Sequence, residues 1–243
     1  MTEKSLINDY GEHRDVLDNL QMIRENIADA CARCHRNPEE ITLMAVTKTV
    51  AAERINPVLD AGIRCIGENR VQEFLEKRDA LHLAGVQKHL IGHLQTNKVS
   101  RIVGQVDMIQ SVDSIKVASA ISEASLKIGC VTDILVEINI GNEASKSGIK
   151  VSETSRFLEQ ISAFHGVSVK GLMTIPPISH SEQEKRHFFS EMHKVFIDIR
   201  GKNIDNMNMS VLSMGMSDDY VEAILEGSTL VRIGSALFGK RVK

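Results

Sequence analysis

The chain has 243 residues, of which 42% are hydrophobic and 25% charged, and its formal net charge is −3. This composition is typical of a soluble globular protein and excludes a disordered chain, a collagen and a small disulfide-bonded scaffold. The near balance of charges and an aromatic content of 4% argue against nucleic acid or an anionic membrane as a partner.

Residues 1–38 are predicted to form a helical extension, because Val16, Leu20, Ile23 and Ile27 recur at helical spacing. The extension is expected to cover the bottom of the domain that follows. No secretory signal precedes it, and no run of about 18 apolar residues occurs in the chain. We therefore expect a cytoplasmic protein without a membrane-spanning segment.

The extension also contains a cysteine motif, Cys31-Ala-Arg-Cys34-His35. This spacing is that of covalent haem attachment, but haem attachment requires export, and no export signal is visible. We interpret the motif as cysteines on a helix face, with metal or redox use as the alternatives. His89 and His93 are four residues apart, a spacing that would suit a metal on a helix, but the segment from His89 to Gly92 is predicted to be a strand, so no metal site is expected.

After the extension, short apolar runs alternate with longer amphipathic segments, as in buried parallel strands covered by helices. In chain order the predicted strands span 41–46, 64–66, 89–91, 108–112, 134–140, 167–173, 210–214 and 230–233. The predicted helices that follow them span 51–61, 70–81, 96–103, 114–128, 152–164, 180–202, 218–225 and the residues from 235 onward. Three of these helices are predicted to begin at the capping residues Ser114, Ser152 and Ser217.

Eight strand–helix repeats predict an α/β fold, a single (β/α)8 TIM barrel at residues 39–243 with an extra N-terminal helix. The alternative is an open doubly wound sheet. Its usual G-x-G-x-x-G fingerprint is missing, because the first strand is followed by Thr47-Lys48-Thr49.

The site of such a barrel lies at the C-terminal ends of its strands. Lys48 stands there, at the end of an otherwise apolar strand, where a lysine is costly to bury. A desolvated lysine can attack a carbonyl to form a Schiff base. The alternatives are a lysine that extends to the solvent at the rim and one partner of an ion pair.

Small residues follow the seventh and eighth strands, at Ser213-Met-Gly215-Met-Ser217 and at Gly234-Ser235. Loops at these positions often bind phosphate through backbone N–H groups, although such glycines can also serve only as turn formers. A strand-end lysine beside a phosphate cradle suggests pyridoxal 5′-phosphate. Arg232 would then face the pyridine nitrogen and discourage its protonation, unless it only pairs with a carboxylate across the rim.

Six motifs occur in order along nearly the whole chain. They are AVTKT at 45–49, GENRVQE at 67–73, HLIGHLQTNK at 89–98, MT at 173–174, SMGMSDD at 213–219 and VRIGSALFG at 231–239. In these motifs the chain resembles the YggS/PROSC-type pyridoxal phosphate homeostasis proteins, single-domain barrels related to the N-terminal domain of alanine racemase. One departure is Lys88, which stands where the family commonly has an aromatic residue and is expected to affect the bottom of the barrel.

The resemblance implies roles for individual residues. Lys48 would hold pyridoxal phosphate as a Schiff base, and Arg232 would face the ring nitrogen. Asn69 would lie beside the ring, with His93 as a further candidate. The residues that would bind the phosphate are Ser213, Gly234 and Ser235.

The function implied by the resemblance is to hold the reactive aldehyde and to maintain intracellular vitamin B6 balance as a carrier or buffer. The expected partners are apo-enzymes that receive the cofactor, and the protein is expected to be a monomer. A regulatory module that binds other proteins and senses the cofactor is a further hypothesis.

The other alternative is a fold-type III amino-acid racemase. A racemase needs a second base on the opposite face of the substrate, which in alanine racemases is a tyrosine from a C-terminal domain. Here the chain ends at Lys243, and its two tyrosines are Tyr10 and Tyr220. Neither is expected to serve as that base.

Overall fold

Parallel strands close into an eight-stranded barrel in this computed structural model, which describes residues 13–143, 146–179 and 181–239. The barrel is closed because strand 108–112 pairs with strand 132–139 and strand 42–46 pairs with strand 230–233, so the strands of the ring leave no open edge. Its strands are β1 (Thr42–Val46), β2 (Cys65–Glu68), β3 (Gln87–Leu90), β4 (Met108–Val112), β5 (Thr132–Asn139), β7 (Val167–Thr174), β8 (Met207–Ser213) and β9 (Leu230–Ile233). The predicted TIM barrel is confirmed, and the open doubly wound sheet is excluded.

Helices surround this barrel, and one further helix precedes it. In chain order they are α1 (Arg14–Arg33), α2 (Ala52–Asp60), α3 (Val71–Lys77), α4 (Val99–Ile102), α5 (Ile115–Lys127), α6 (Thr154–Ile161), α7 (Glu182–Gly201), α8 (Tyr220–Leu225) and α9 (Ser235–Phe238). A two-residue strand that the sequence did not predict, β6 (Ile149–Lys150), pairs with the end of β5. Within the described residues, no helix is both long enough and apolar enough to cross a membrane.

The capping predictions were right at one position and wrong at two. Ser114 caps α5 by accepting a hydrogen bond from the backbone of Val117. Ser152 instead lies inside a 3₁₀ turn that precedes α6. Ser217 lies three residues before α8, and its hydroxyl is used elsewhere, by the backbone that follows β9.

The N-terminal helix α1 lies along the side of the barrel. Its predicted apolar face is buried, and its contacts are with α2, α8 and α9 in the outer layer. Asn19 donates a hydrogen bond to the carbonyl of Leu237 in α9, and Arg24 donates one to the carbonyl of Ala61 after α2. The prediction that this helix covers the bottom of the barrel is therefore wrong.

The cysteine motif lies at the C-terminal end of α1. Cys31 is buried on the inner face of the helix, and this burial raises the pKa of its thiol. The Cys34 thiol donates a hydrogen bond to the carbonyl of Ala30 at 3.2 Å. Both cysteines are free thiols, Cys31 within α1 and Cys34 at its C-terminal cap.

The inside of the barrel is filled by side chains that alternate with those of the outer core. Two small apolar clusters made by strand residues occupy it: Met44, Cys65 and Leu230 form one, and Met108, Leu135 and Met173 form the other. Residues two positions further along the same strands point to the same inward face. Arg232, Gln110 and Glu137 are therefore placed inside the barrel, closer to the C-terminal ends of the strands.

Candidate functional site

The predicted site residues lie at one end of the barrel, because all its strands are parallel. Lys48 lies in a turn two residues after β1, and Asn69 directly follows β2. Ser213 is the last residue of β8, and Arg232 lies within β9. Gly234 follows β9, and a Cβ built on it would lie 3.5 Å from the side chain of Val46 at the end of β1.

Two side chains of α3 form hydrogen bonds with the backbone of the turn that carries Lys48. Lys77 donates a hydrogen bond to the carbonyl of Thr47 at 2.6 Å. The backbone N–H of Thr49 donates to the carboxylate of Glu73. Thr49 itself has a φ of +61°, a left-handed conformation that a β-branched residue rarely adopts. The partly buried Lys48 is thus presented by a turn that packing and hydrogen bonds hold in an unfavourable backbone conformation.

A buried ion pair lies beneath this turn. The carboxylate of Glu68 is 1% exposed, pairs with Lys77 and accepts a hydrogen bond from the Thr47 hydroxyl at 2.5 Å. Burial raises the pKa of Glu68, although Lys77 and Thr47 act in the opposite direction. A buried carboxylate depends on its partners, so α3, the end of β2 and the Lys48 turn form one connected unit.

Asn69 is held in place by its close contact with Gly92. A Cβ built on Gly92 would lie 2.2 Å from the backbone oxygen of Asn69, so only glycine fits at position 92. The side-chain oxygen Oδ1 of Asn69 is buried and has no hydrogen-bond partner among the described residues. A buried amide with an unmet hydrogen bond is unfavourable, and a ligand at this end of the barrel would satisfy it.

Arg232 is a buried cation, with only 4% of the residue exposed. Its guanidinium donates to the Ser213 hydroxyl at 2.7 Å and to the Thr174 carbonyl at 2.9 Å. Burial lowers the pKa of Arg232 to about 10, while the charges of Asp219 and Glu137 act to raise it. The side chain therefore keeps its charge at neutral pH, and no carboxylate of the described residues forms an ion pair with it.

The structure places Ser213 inside the barrel. Its hydroxyl accepts the hydrogen bond from Arg232 and donates one to Oε1 of Gln110 at 2.7 Å. Both partners of this fully buried hydroxyl are thus protein groups. The phosphate-binding role of Ser213 stays a prediction.

Backbone N–H groups converge where β9 leads into α9, as the sequence predicts for a phosphate cradle. The N–H groups of Gly234 and Ala236 donate to the hydroxyl of Ser217 at 3.2 and 3.1 Å. Ser235 lies between them at the start of α9. Ser217 was predicted as a helix cap and as part of the small-residue loop after the seventh strand, but no sequence signal shows that its hydroxyl contacts the loop after β9.

Glu137 was not predicted as a site residue. The signal that singled out Lys48, a charged residue in or next to an apolar strand, was nevertheless present there too. Glu137 is 9% exposed. Burial and the charge of Asp113 raise its pKa to about 7, while Arg232 and His93 act to lower it. His93 is largely exposed and lies 3.4 Å from the Asp113 carboxylate.

A cavity of about 540 Å³ opens at the opposite end of the barrel. Its charged lining residues are Arg24 and Arg64, which both donate hydrogen bonds to backbone carbonyls. The cavity contains no cluster of titratable groups, so the C-terminal end of the barrel is the better candidate site. In the described ranges, no group of three His, Cys, Asp or Glu side chains is arranged to hold a metal ion.

Comparisons with known proteins agree with the fold of this chain. The family described as "Alanine racemase, N-terminal domain" matches residues 19–242. The pyridoxal phosphate homeostasis protein of Aquifex aeolicus is 38% identical over 224 residues, which is 92% of this chain and 97% of that protein.

Two solved structures are similar to this chain over most of its length. A crystal structure of an unknown protein from Bifidobacterium adolescentis has a TM-score of 0.88 at 35% identity and covers 93% of this chain and 96% of its own. PipY of Synechococcus elongatus, solved with pyridoxal phosphate bound, has a TM-score of 0.75 at 30% identity and covers 88% of this chain and 100% of its own.

Proposed function

Because the chain belongs to the pyridoxal phosphate homeostasis proteins of the alanine racemase N-terminal domain family, we propose that it binds pyridoxal 5′-phosphate and maintains the intracellular pool of this cofactor. The observation that carries the proposal is the combination of groups at one barrel end. The amine of Lys48 on its anchored turn, the buried cation Arg232 and the convergent N–H groups of Gly234 and Ala236 suit an aldehyde, a pyridine ring and a phosphate, respectively.

Different residues of this chain would bind different parts of the cofactor. When bound, pyridoxal phosphate supplies an aldehyde that condenses with a primary amine, and Lys48 supplies that amine. The N–H groups of Gly234, Ser235 and Ala236 would donate to the phosphate, with Ser217 as a neighbouring hydroxyl. Arg232 would face the ring nitrogen and, as a permanent cation, disfavour its protonation. The unmet hydrogen bond of Asn69 fits a place beside the ring.

A carrier fits the described residues better than a racemase does. Tyr220 is buried at the start of α8, and its hydroxyl accepts a hydrogen bond from Asn26 in α1 at 2.8 Å. That contact holds the hydroxyl in the outer layer of the protein, away from the barrel interior. Tyr10 lies outside the described residues. We propose that the protein acts as a monomer that delivers the cofactor to apo-enzymes.

Transfer to an apo-enzyme tests the carrier function. The wild-type protein is loaded with pyridoxal phosphate, freed of unbound cofactor, and mixed with an apo-aminotransferase in the presence of a phosphatase that destroys free pyridoxal phosphate. We expect the aminotransferase to regain activity with the wild-type protein. We expect much less recovery with Lys48→Ala treated in the same way, because this variant lacks the amine that retains the cofactor.

Two results would contradict the carrier proposal. One is a wild-type protein that retains no more cofactor than Lys48→Ala after unbound cofactor is removed. The other is the steady formation of D-alanine from L-alanine by the loaded protein, measured by chiral chromatography, since that turnover would identify a racemase.

A further inference from the structure

A chain of polar side chains crosses the inside of the barrel beneath the candidate site. It runs from Arg232 in β9 through Ser213 in β8 and Gln110 in β4 to His89 in β3. The successive contacts are 2.7, 2.7 and 2.8 Å long. All four residues are buried, between 0% and 4% exposed. The chain therefore links opposite walls of the barrel through groups that water does not reach.

The hydrogen bonds of this chain run in one direction. An arginine only donates, so Ser213 accepts from Arg232 and turns its own proton toward Oε1 of Gln110. The Gln110 amide N–H then donates to Nδ1 of His89. Nδ1 therefore carries no proton, and the neutral ring is protonated on Nε2. Burial favours this neutral form, because it lowers the pKa of His89 to about 4.

The direction of these hydrogen bonds affects how the guanidinium of Arg232 is oriented. Gln110 keeps the Ser213 proton turned away, so that a lone pair of the hydroxyl faces Arg232. The carbonyl of Thr174 holds the guanidinium at a second point, at 2.9 Å. Two acceptors define the plane of a guanidinium, whereas one leaves it free to rotate about a single contact. The orientation of Arg232 thus depends on a residue that does not touch it.

We propose that Gln110 is a positioning residue for Arg232, acting through the Ser213 hydroxyl and held in its own orientation by neutral His89. The proposal rests on the proposed cofactor site, in which Arg232 faces the pyridine nitrogen. Without this support the guanidinium is no longer held in the plane in which it would face the ring, so cofactor binding is expected to weaken at least about tenfold.

The first experiment uses the protein without cofactor. Nitrogen-15 NMR of the His89 ring at neutral pH is expected to show Nε2 protonated and Nδ1 unprotonated in the wild-type protein. Gln110→Leu removes the donor to Nδ1 and is expected to change the Nδ1 chemical shift. A ring protonated on Nδ1 in the wild-type protein would overturn the proposed direction of the chain.

The second experiment compares pyridoxal phosphate affinity and the absorbance of the bound cofactor, which depends on the cofactor's protonation state and surroundings, below the unfolding temperature of each variant. Gln110→Leu is expected to bind at least about tenfold more weakly and to shift the absorbance. Burial favours the protonated form of the carboxyl in Gln110→Glu, and this form keeps both an acceptor for Ser213 and a donor to Nδ1 of His89, so the variant is expected to restore both properties. Met108→Leu, on the same strand and inward face, is the matched control and is expected to change affinity less than about twofold.

The results separate this inference from the function on which it rests. Wild-type affinity and absorbance in Gln110→Leu would overturn the positioning role and leave the proposed function intact. Equal losses in Gln110→Leu and Met108→Leu would also overturn it, since they would show a general effect of core packing. Failure of the proposed function itself would appear as a wild-type protein that does not retain the cofactor, whereas the His89 measurement requires no cofactor.

Discussion

Charged side chains inside the barrel are the most informative individual residues of this protein. Lys48 and Arg232 could be selected from the sequence because each is a charged residue within an apolar strand or at its end. Burying such a charge costs free energy, which a functional role or an ionic partner must explain. The same reasoning applies to Glu137 in β5, which the sequence analysis missed. The uncharged Gln110 gave no such signal, since its importance depends on contacts with two other strands.

Glu137 leads to a prediction about pH. Its pKa is raised to about 7 from an ordinary value of 4.5, so the folded protein binds the proton more tightly than the unfolded chain does. The stabilising contribution of this group is present below pH 4.5 and is lost as the pH rises to 7. Glu137→Gln removes the titration. We expect its stability relative to wild type to rise by about 1–3 kcal/mol between pH 4.5 and pH 8.

Urea unfolding of both proteins across this pH range provides the measurement. Glu53→Gln, an exposed substitution on α2, is the control for the general effect of replacing a glutamate by glutamine. A stability difference between Glu137→Gln and wild type that does not change with pH would contradict the assignment of a raised pKa to Glu137.

At the scale of elements, most of the secondary structure could be predicted from apolar periodicity. The strands 108–112 and 230–233 match β4 and β9 at both ends. The prediction was less accurate where a helix begins with tighter turns: the predicted helix 96–103 is a 3₁₀ turn, Thr96–Lys98, followed by α4. The hydrogen bonds of Ser217 could not be predicted either, because its backbone partners belong to a loop that is distant in sequence.

The connection between α3 and the Lys48 turn leads to a prediction about stability. Lys77→Met leaves the Glu68 carboxylate buried without its cation and removes the hydrogen bond to the Thr47 carbonyl. We expect a loss of about 3 kcal/mol in the free energy of unfolding and weaker retention of pyridoxal phosphate, because the Lys48 turn loses one anchor.

Lys194→Met is the matched control for this prediction. Lys194 pairs with Glu191 on the exposed face of α7, and a pair between solvent-exposed side chains contributes little to stability. Chemical denaturation of both variants at pH 7 compares them directly. Equal effects of the two substitutions would contradict the account of the turn.

At the scale of the whole molecule, the number of strands was enough to predict the closed barrel and the end at which its site lies. The polar chain through the interior was beyond prediction, because residues 89, 110, 213 and 232 meet only once the barrel has closed. The ordered motifs identified the family that the comparisons then confirmed. The barrel thus brings an amine, a buried cation and backbone donors from widely separated segments to one end, where we propose that the cofactor binds.

We propose that this end of the barrel holds pyridoxal phosphate through Lys48. The most direct test is borohydride reduction of the loaded protein, followed by mass-spectrometric mapping of its peptides. We expect one pyridoxyl group on the peptide that contains Lys48 and none on the corresponding peptide of a Lys48→Arg variant. A wild-type protein without the modification at Lys48, or with equal modification elsewhere, would contradict binding through Lys48.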